Sequence, residues 1–246
     1  MMETVSQRVR GRVVELTLAR PQAGNAFDAQ IVEDLLGALD RIDANQCDTI
    51  VFRGEGKGFC GGLDLSELET ETDASFLMRL VRIELLLQKV ASLPQETVAL
   101  AHRFAFGAGA DLFAACRRRI AAPGTRFSFP GVRFGIALGT GRLARSVGPD
   151  AARRLLAATA PIPLETALAV GLVQESAELE SFDFMIEDLA TAKTSLDPRM
   201  ARIVAERLDP GFHDADLAAL VRSAAEPGLR QRIADYARSV AQARRR

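Results

Sequence analysis

The sequence predicts an α/β fold with a helical C-terminal extension, and two observations carry this. Apolar runs of strand character alternate with helical periodicity through the first half, and from about residue 140 the pattern is mostly helical. Val5 to Val9 and Val13 to Leu18 flank Arg10-Gly11 and read as a hairpin. Arg20-Pro21-Gln22-Ala23-Gly24-Asn25-Ala26 is a loop punctuated by proline and glycine. Asp28 caps a helix whose apolar face is Ile31, Leu35, Leu39 and Ile42. Thr49 to Phe52 reads as a strand, and residues 75–91 as a helix striped by Phe76, Leu80, Ile83 and Leu87. A strand over 97–101 leads to a helix ending near Cys116, with short strands expected at 119–122 and 126–129. Ser195-Leu196-Asp197-Pro198 marks a break, after which 199–245 reads as two or three amphipathic helices.

At 246 residues, with 48% apolar residues, the chain can bury a substantial core. A net charge of −1 supplies no global field for nucleic acid or a membrane surface. The clusters Arg117-Arg118-Arg119 and Arg244-Arg245-Arg246 read as solvated surface and tail rather than phosphate sites. Cys47, Cys60 and Cys116 have no metal-like spacing and fit reduced thiols, so no metal is expected and the expected location is cytoplasmic. No leader-like segment opens the sequence, and no apolar run approaches the ~18 residues of a membrane span.

The chemistry-bearing features are two glycine turns. Gly58-Phe59-Cys60-Gly61-Gly62-Leu63-Asp64-Leu65 and Phe106-Gly107-Ala108-Gly109-Ala110-Asp111 each follow a strand-like run and lead into a segment of helical character. Glycine permits close backbone approach, and free amides at a helix start carry partial positive charge. Converging turns of this kind would form an oxyanion hole for reactions that build negative charge on a carbonyl oxygen.

At these turns the chain resembles the enoyl-CoA hydratase/isomerase (crotonase) family. Arg20-Pro21 with Asn25-Ala26 is similar to the family's RPxxxNA loop. Phe59 to Leu65 resembles its FxAGxDL turn, and Ala105 to Leu112 its AxGGGxxL turn. Phe127-Ser128-Phe129-Pro130 and Gly135 through Gly141 look like the next loop, and Ala167 to Val173 like the late AxxxGLV element. The resemblance implies a spiral of ββα units over 1–195 and a helical oligomerisation region over 196–246, assembled as trimers or paired trimers. It implies an acyl-CoA thioester ligand, with coenzyme A as part of the substrate and no separate cofactor. Carried over by position, the oxyanion-hole amides are those of Leu63 and Ala108, Gln22 and Ala23 lie along the CoA nucleotide, and Leu63 to Ser66, including Asp64 and Leu65, meet the substrate.

Family hydratases use two carboxylates. The first position here holds Asp111; the second holds Gly131, after Pro130, and 126–149 contains no Asp or Glu. Two-carboxylate hydration is therefore in doubt, and isomerisation, decarboxylation, C–C bond hydrolysis on the same scaffold and non-catalytic acyl-CoA binding stay open. Asp111 has a competing reading as an acid stabilised by a helix dipole, and Asp64 reads more readily as a helix cap. His102 is a weak acid/base candidate, and Arg133 a weak candidate for holding a substrate carboxylate. Cys60 lacks a paired base and reads as packing, while Glu67 and Glu69 read as a solvated helix start. Tyr236 reads as a helix anchor, with approach to a neighbouring subunit's site as the alternative.

Overall fold

The computed structural model describes residues 4–158, 160–192, 198–208 and 211–243. Strands β1 (Val5–Arg10) and β2 (Val13–Leu18) form the expected antiparallel hairpin. Helix α1 (Ala29–Arg41) starts where the Asp28 carboxylate accepts the Ile31 amide at 2.8 Å, and it buries Ile31, Val32, Leu35, Ala38 and Leu39. The chain continues through β3 (Thr49–Gly54), α2 (Asp73–Ser92), β4 (Glu96–Ala101), β5 (Phe104–Phe106), α3 (Ala108–Ala115), β6 (Arg118–Ala121) and β7 (Arg126–Ser128). There follow α4 (Thr140–Val147), α5 (Pro149–Ala157), β8 (Ile162–Pro163), α6 (Leu164–Ala169), β9 (Glu175–Ser176), α7 (Phe182–Thr191), α8 (Pro198–Leu208), α9 (His213–Ala224) and α10 (Leu229–Ala243).

One sheet runs β1-β2-β3-β4-β6-β9, parallel from β2 onward; a second runs β5-β7-β8. The chain steps from β4 to β5 to α3, then from β6 to β7 toward α4, moving each time from the large sheet to the small one before a helix. This is the ββα spiral. Phe27, Phe52, Phe59, Phe113 and Phe127 are fully buried in its main core. Phe113 meets Phe59 edge-on at 6.2 Å and Phe127 at 5.0 Å, which ties α3 to the first glycine turn and to β7.

Several expectations need correction. No helix follows the first glycine turn directly: residues 64–72 contain turns, and α2 begins at Asp73, behind a Thr72–Ser75 capping box. The Asp64 carboxylate is not a helix cap; it accepts Arg20 at 2.9 Å and the Ser66 amide at 2.9 Å. The short strands β5, β8 and β9 carry too few residues to announce themselves by alternation. Arg117-Arg118-Arg119 is not a solvated cluster. Arg119 is buried and donates to the carbonyls of Cys116, Gly171 and Leu172, and Arg117 to those of Gln95 and Leu93, so these cations satisfy loop and helix-end carbonyls. In the C-terminal region Leu220, Leu229 and Ile233 bury against Phe76, Leu80 and Ile136 of the same chain, so that part of the apolar stripe is already covered. Residues 195–197, at the expected break and domain boundary, and Arg244 to Arg246 lie outside the described residues.

The early loop is held by Asn25, which is fully buried at φ 57°. Its amide donates to the carbonyls of Glu55, Gly58 and Phe59, and its Oδ1 accepts the Arg20 amide at 3.0 Å. Alanine would leave several of these backbone groups without partners and keep a left-handed backbone without an Asx side chain. Asn25→Ala is expected to lower unfolding free energy by about 3 kcal/mol in urea titration.

Candidate active site

The two glycine turns meet because their flanking segments form a short parallel ladder. Phe59 donates to the Phe104 carbonyl at 3.0 Å, Phe106 to the Cys60 carbonyl at 2.9 Å, and Cys60 pairs with Ala105 as a parallel bridge. On the other side Gly61 donates to Gly24, Phe27 to Gly62 at 2.6 Å and Asp64 to Phe27 at 2.9 Å. Gly62 and Asp64 thus spend their backbone groups on the Phe27 strand. Leu63, between them, directs its amide the opposite way, because successive peptide groups in extended chain alternate in direction. Gly62 has φ +96°, and a Cβ there would lie 2.7 Å from the Phe106 carbonyl oxygen, so this approach requires glycine. Beyond the contact the strands part. Gly107 donates to Ser128 at 2.8 Å, and Ala108 opens α3. Neither the Leu63 amide nor the Ala108 amide has a hydrogen-bond partner among the described residues. The second sits at a helix start, where the macrodipole reinforces it.

Both residues line a cavity of about 620 Å³. Its walls include Leu65 from the first turn, Leu80 from α2, Phe129 to Phe134 and Ile136 from the loop after β7, and Ile233, Tyr236, Ala237 and Val240 from α10. Asp111, in the first turn of α3, is 6% exposed and also lines it. Burial pushes the Asp111 carboxyl well above the usual range; Arg142 pulls the other way, and Glu84 adds to the rise. Gly139 stands directly against this carboxyl, where a Cβ would collide with Oδ1.

The arrangement behind Asp111 was not legible in the sequence. Glu84 lies on α2 among Ile83, Leu86 and Leu87 and is fully buried. It receives Arg142 of α4 in two bonds of 2.8 and 2.7 Å and Gln88 at 2.9 Å. Asp216 of α9 stands 3.5 Å from Arg142 and 2.6 Å from Arg145. Arg142 is thus held by Glu84, and its pull on Asp111 does not offset the effect of burial. A glutamate inside an otherwise apolar helical stripe was the available signal.

The remaining expected residues divide clearly. Leu63, Leu65, Ala108, Asp111, Gly131 and Arg133 come together around the cavity. Gly131 leaves no carboxylate there; a Cβ at that position would lie 3.1 Å from the Ile136 carbonyl oxygen. Arg133 stacks on Tyr236 at 5.6 Å, and Tyr236 packs on Phe134 at 4.8 Å, so Tyr236 is part of its own chain's cavity wall. Gln22 and Ala23 lie in a short 3-10 turn outside the cavity lining, and Ser66 is exposed beyond the first turn. His102 is removed from the cavity. Its ring contacts the Gly56 carbonyl at 2.9 Å, and burial lowers its pKa, so it holds the loop after β3 as a neutral ring. Cys60 is fully buried with its thiol pushed up to about 12 by desolvation, donating to the Asn25 carbonyl at 3.0 Å, which leaves no thiolate for nucleophilic work. Glu67 and Glu69 are exposed.

These features define a class of protein, and comparison with known proteins gives the same one. The profile of the enoyl-CoA hydratase/isomerase family matches residues 8–220. A Bordetella parapertussis crystal structure described as an enoyl-CoA hydratase/isomerase superposes with a TM-score of 0.91 at 40% identity, over 95% of this chain and 98% of that one. A Bacillus subtilis protein described as a probable enoyl-CoA hydratase is 35% identical over 187 residues, 73% of this chain and 71% of that one. The short-chain-enoyl-CoA hydratase of Clostridium acetobutylicum is 26% identical over 221 residues, 87% of this chain and 85% of that one. The chain belongs to the enoyl-CoA hydratase/isomerase family.

The buried acid makes a stability test available. A carboxyl whose pKa is raised on folding binds its proton more tightly in the folded state. Its contribution is present below the unfolded value of about 3.9 and is lost as pH rises through the folded value. Asp111→Asn stays neutral and escapes that loss. The melting temperature of Asp111→Asn relative to the parent is expected to climb between pH 4 and pH 8, read by differential scanning calorimetry.

Proposed function

We propose that this protein binds an acyl-CoA thioester, polarises its carbonyl between the Leu63 and Ala108 amides, and moves a proton at the acyl chain through Asp111. The single observation that carries the reading is a pair of amides without partners among the described residues, on two touching glycine turns beside a buried carboxyl in one cavity. Main-chain donors fixed in place stabilise an oxyanion without reorganising, which favours an enolate over the neutral thioester. An acid whose pKa burial raises can serve both directions of proton transfer. As carboxylate, Asp111 takes a proton from the carbon next to the carbonyl while negative charge moves to the thioester oxygen. As acid, it returns that proton two carbons along, the double bond shifts, and the site is restored. Coenzyme A enters only as the carrier of the substrate, with Gln22 and Ala23 offered to its nucleotide and Asp64 to Ser66 near its thioester end.

With Gly131 in place of the second family carboxylate, isomerisation of a 3-enoyl-CoA is favoured over hydration, since isomerisation needs one proton shuttle and no activated water. Decarboxylation of a malonyl-type thioester is the next reading, because the oxyanion hole alone serves it. Non-catalytic binding of acyl-CoA is a second reading, favoured because Asp111 is the only carboxylate on the cavity wall among the described residues. C–C bond hydrolysis loses its support with His102 outside the cavity.

Assay of 3-enoyl-CoA, crotonyl-CoA and malonyl-CoA separates these. Turnover of 3-enoyl-CoA is expected to exceed hydration of crotonyl-CoA. Its kcat/KM should rise with pH through a limb above the ordinary carboxylate range, and Asp111→Asn should lower it by roughly 10²–10⁴-fold. Unchanged turnover in Asp111→Asn rejects the proton-shuttle role, and CoA-ester binding without turnover supports the binder. Assembly as a homotrimer or hexamer is also proposed, on the apolar side chains left exposed at Leu208 and Phe212, 76% and 52% exposed respectively. Light scattering at micromolar concentration should give at least three times the chain mass.

A further inference from the structure

Helix α10 builds one side of the cavity, and its sequence there is small and apolar. Ile233, Tyr236, Ala237 and Val240 face the space, opposite Leu65 of the first turn and Leu80 of α2. Polar side chains contribute little to this lining beyond Asp111, Ser128, Arg133, Tyr236 and Ser239. The helix is fixed at its first turn. Arg232 donates to the Phe134 carbonyl at 3.0 Å, to Pro227 at 2.9 Å, to Glu226 at 2.7 Å and to Ser223 at 3.2 Å. Asp73 at the start of α2 accepts the Gly228 and Arg230 amides at 2.9 and 2.8 Å. Both neighbouring walls, α2 and the loop after β7, are thereby latched to α10. Ile233 is 1% exposed and packs with Leu80 and Ile136, so the wall continues the hydrophobic cluster beneath it.

A cavity of about 620 Å³ falls within the range that encloses ligands of drug size. The acyl group of a two- or four-carbon thioester occupies a small part of such a space and leaves much apolar wall in contact with water. We infer that the α10 side of this cavity is a chamber for an extended or bulky apolar acyl group of about eight carbons or more, and that Ala237, by its small side chain, is a specificity-determining residue. The inference rests on the acyl-CoA reading given above and adds the class of acyl group to it. Ala237 admits the chain because a larger residue on the same helix face would project into the space the acyl group needs. Tyr236, held between Phe134 and Arg133, gives the chamber an aromatic edge. Transfer of each methylene from water to such walls strengthens binding roughly threefold to fourfold until the space is filled.

Isothermal titration of the whole protein with acetyl-, butyryl-, octanoyl- and decanoyl-CoA tests this. Octanoyl-CoA is expected to bind at least about 50-fold more tightly than acetyl-CoA. In Ala237→Phe, shown to be folded by its melting curve, that ratio is expected to fall at least tenfold. Val240→Phe, on the same helix face, serves as the second variant should Ala237→Phe not fold. Equal affinity for acetyl- and octanoyl-CoA in the parent protein overturns the chamber. A parent preference for octanoyl-CoA that survives in the folded phenylalanine variant overturns the assignment to α10. Failure of every CoA ester to bind, short or long, instead sinks the acyl-CoA reading itself.

Discussion

The site depends on one backbone contact, the approach of Gly62 to the Phe106 carbonyl. Parallel pairing of residues 59–60 with 104–106 brings the two turns together, and pairing of 62–64 with Phe27 orients the first of them. As a consequence of the ladder, Leu63 and Ala108 line one cavity, and their amides have no hydrogen-bond partner among the described residues. A Cβ at position 62 would push the strands apart, and the donors with them. The elements around this contact, including Phe113 of α3 packed on Phe59 and Phe127 and the Asn25 brace on the early loop, act to hold two short segments in register.

The electrostatics follow from burial. Asp111 sits against Gly139 with little solvent to ionise into, and Arg142, whose charge opposes the rise, is bonded to Glu84. A buried ion pair of this kind adds little to stability once desolvation is counted. Its consequence here is local: burial, the dominant influence, raises the pKa of Asp111 beside this pair. Helix α10 closes the opposite side, and because Arg232 bonds to four carbonyls, the closure is a fixed wall.

The hairpin, α1 with its Asp28 cap, the α2 stripe and both glycine turns were legible because local rules govern them: alternation, 3.6-residue periodicity, capping and glycine punctuation. Leu63, Ala108 and Asp111 were singled out by resemblance, and all three positions line the cavity, while their roles rest on the proposal. The Glu84–Arg142 pair, the carbonyl-binding roles of Arg117 and Arg119, and the placement of His102 were not. Each joins residues tens of positions apart, and a charged residue carries no local mark of whether its partner is water, a carboxylate or a carbonyl. The helix expected after the first glycine turn failed for a related reason: the Asp64 carboxylate that signals a cap is drawn instead to Arg20, 44 positions earlier.

By itself, the sequence determined the order of strands and helices and the two places where backbone could come close to a ligand, since these follow from which φ values and which periodicities each residue type allows. Tertiary structure alone decided that the two glycine turns touch, that Asp111 is shielded from solvent while Arg142 bonds to Glu84, and that α10 walls the cavity. Distance and desolvation belong to the packed chain, and neither is written in a residue's identity.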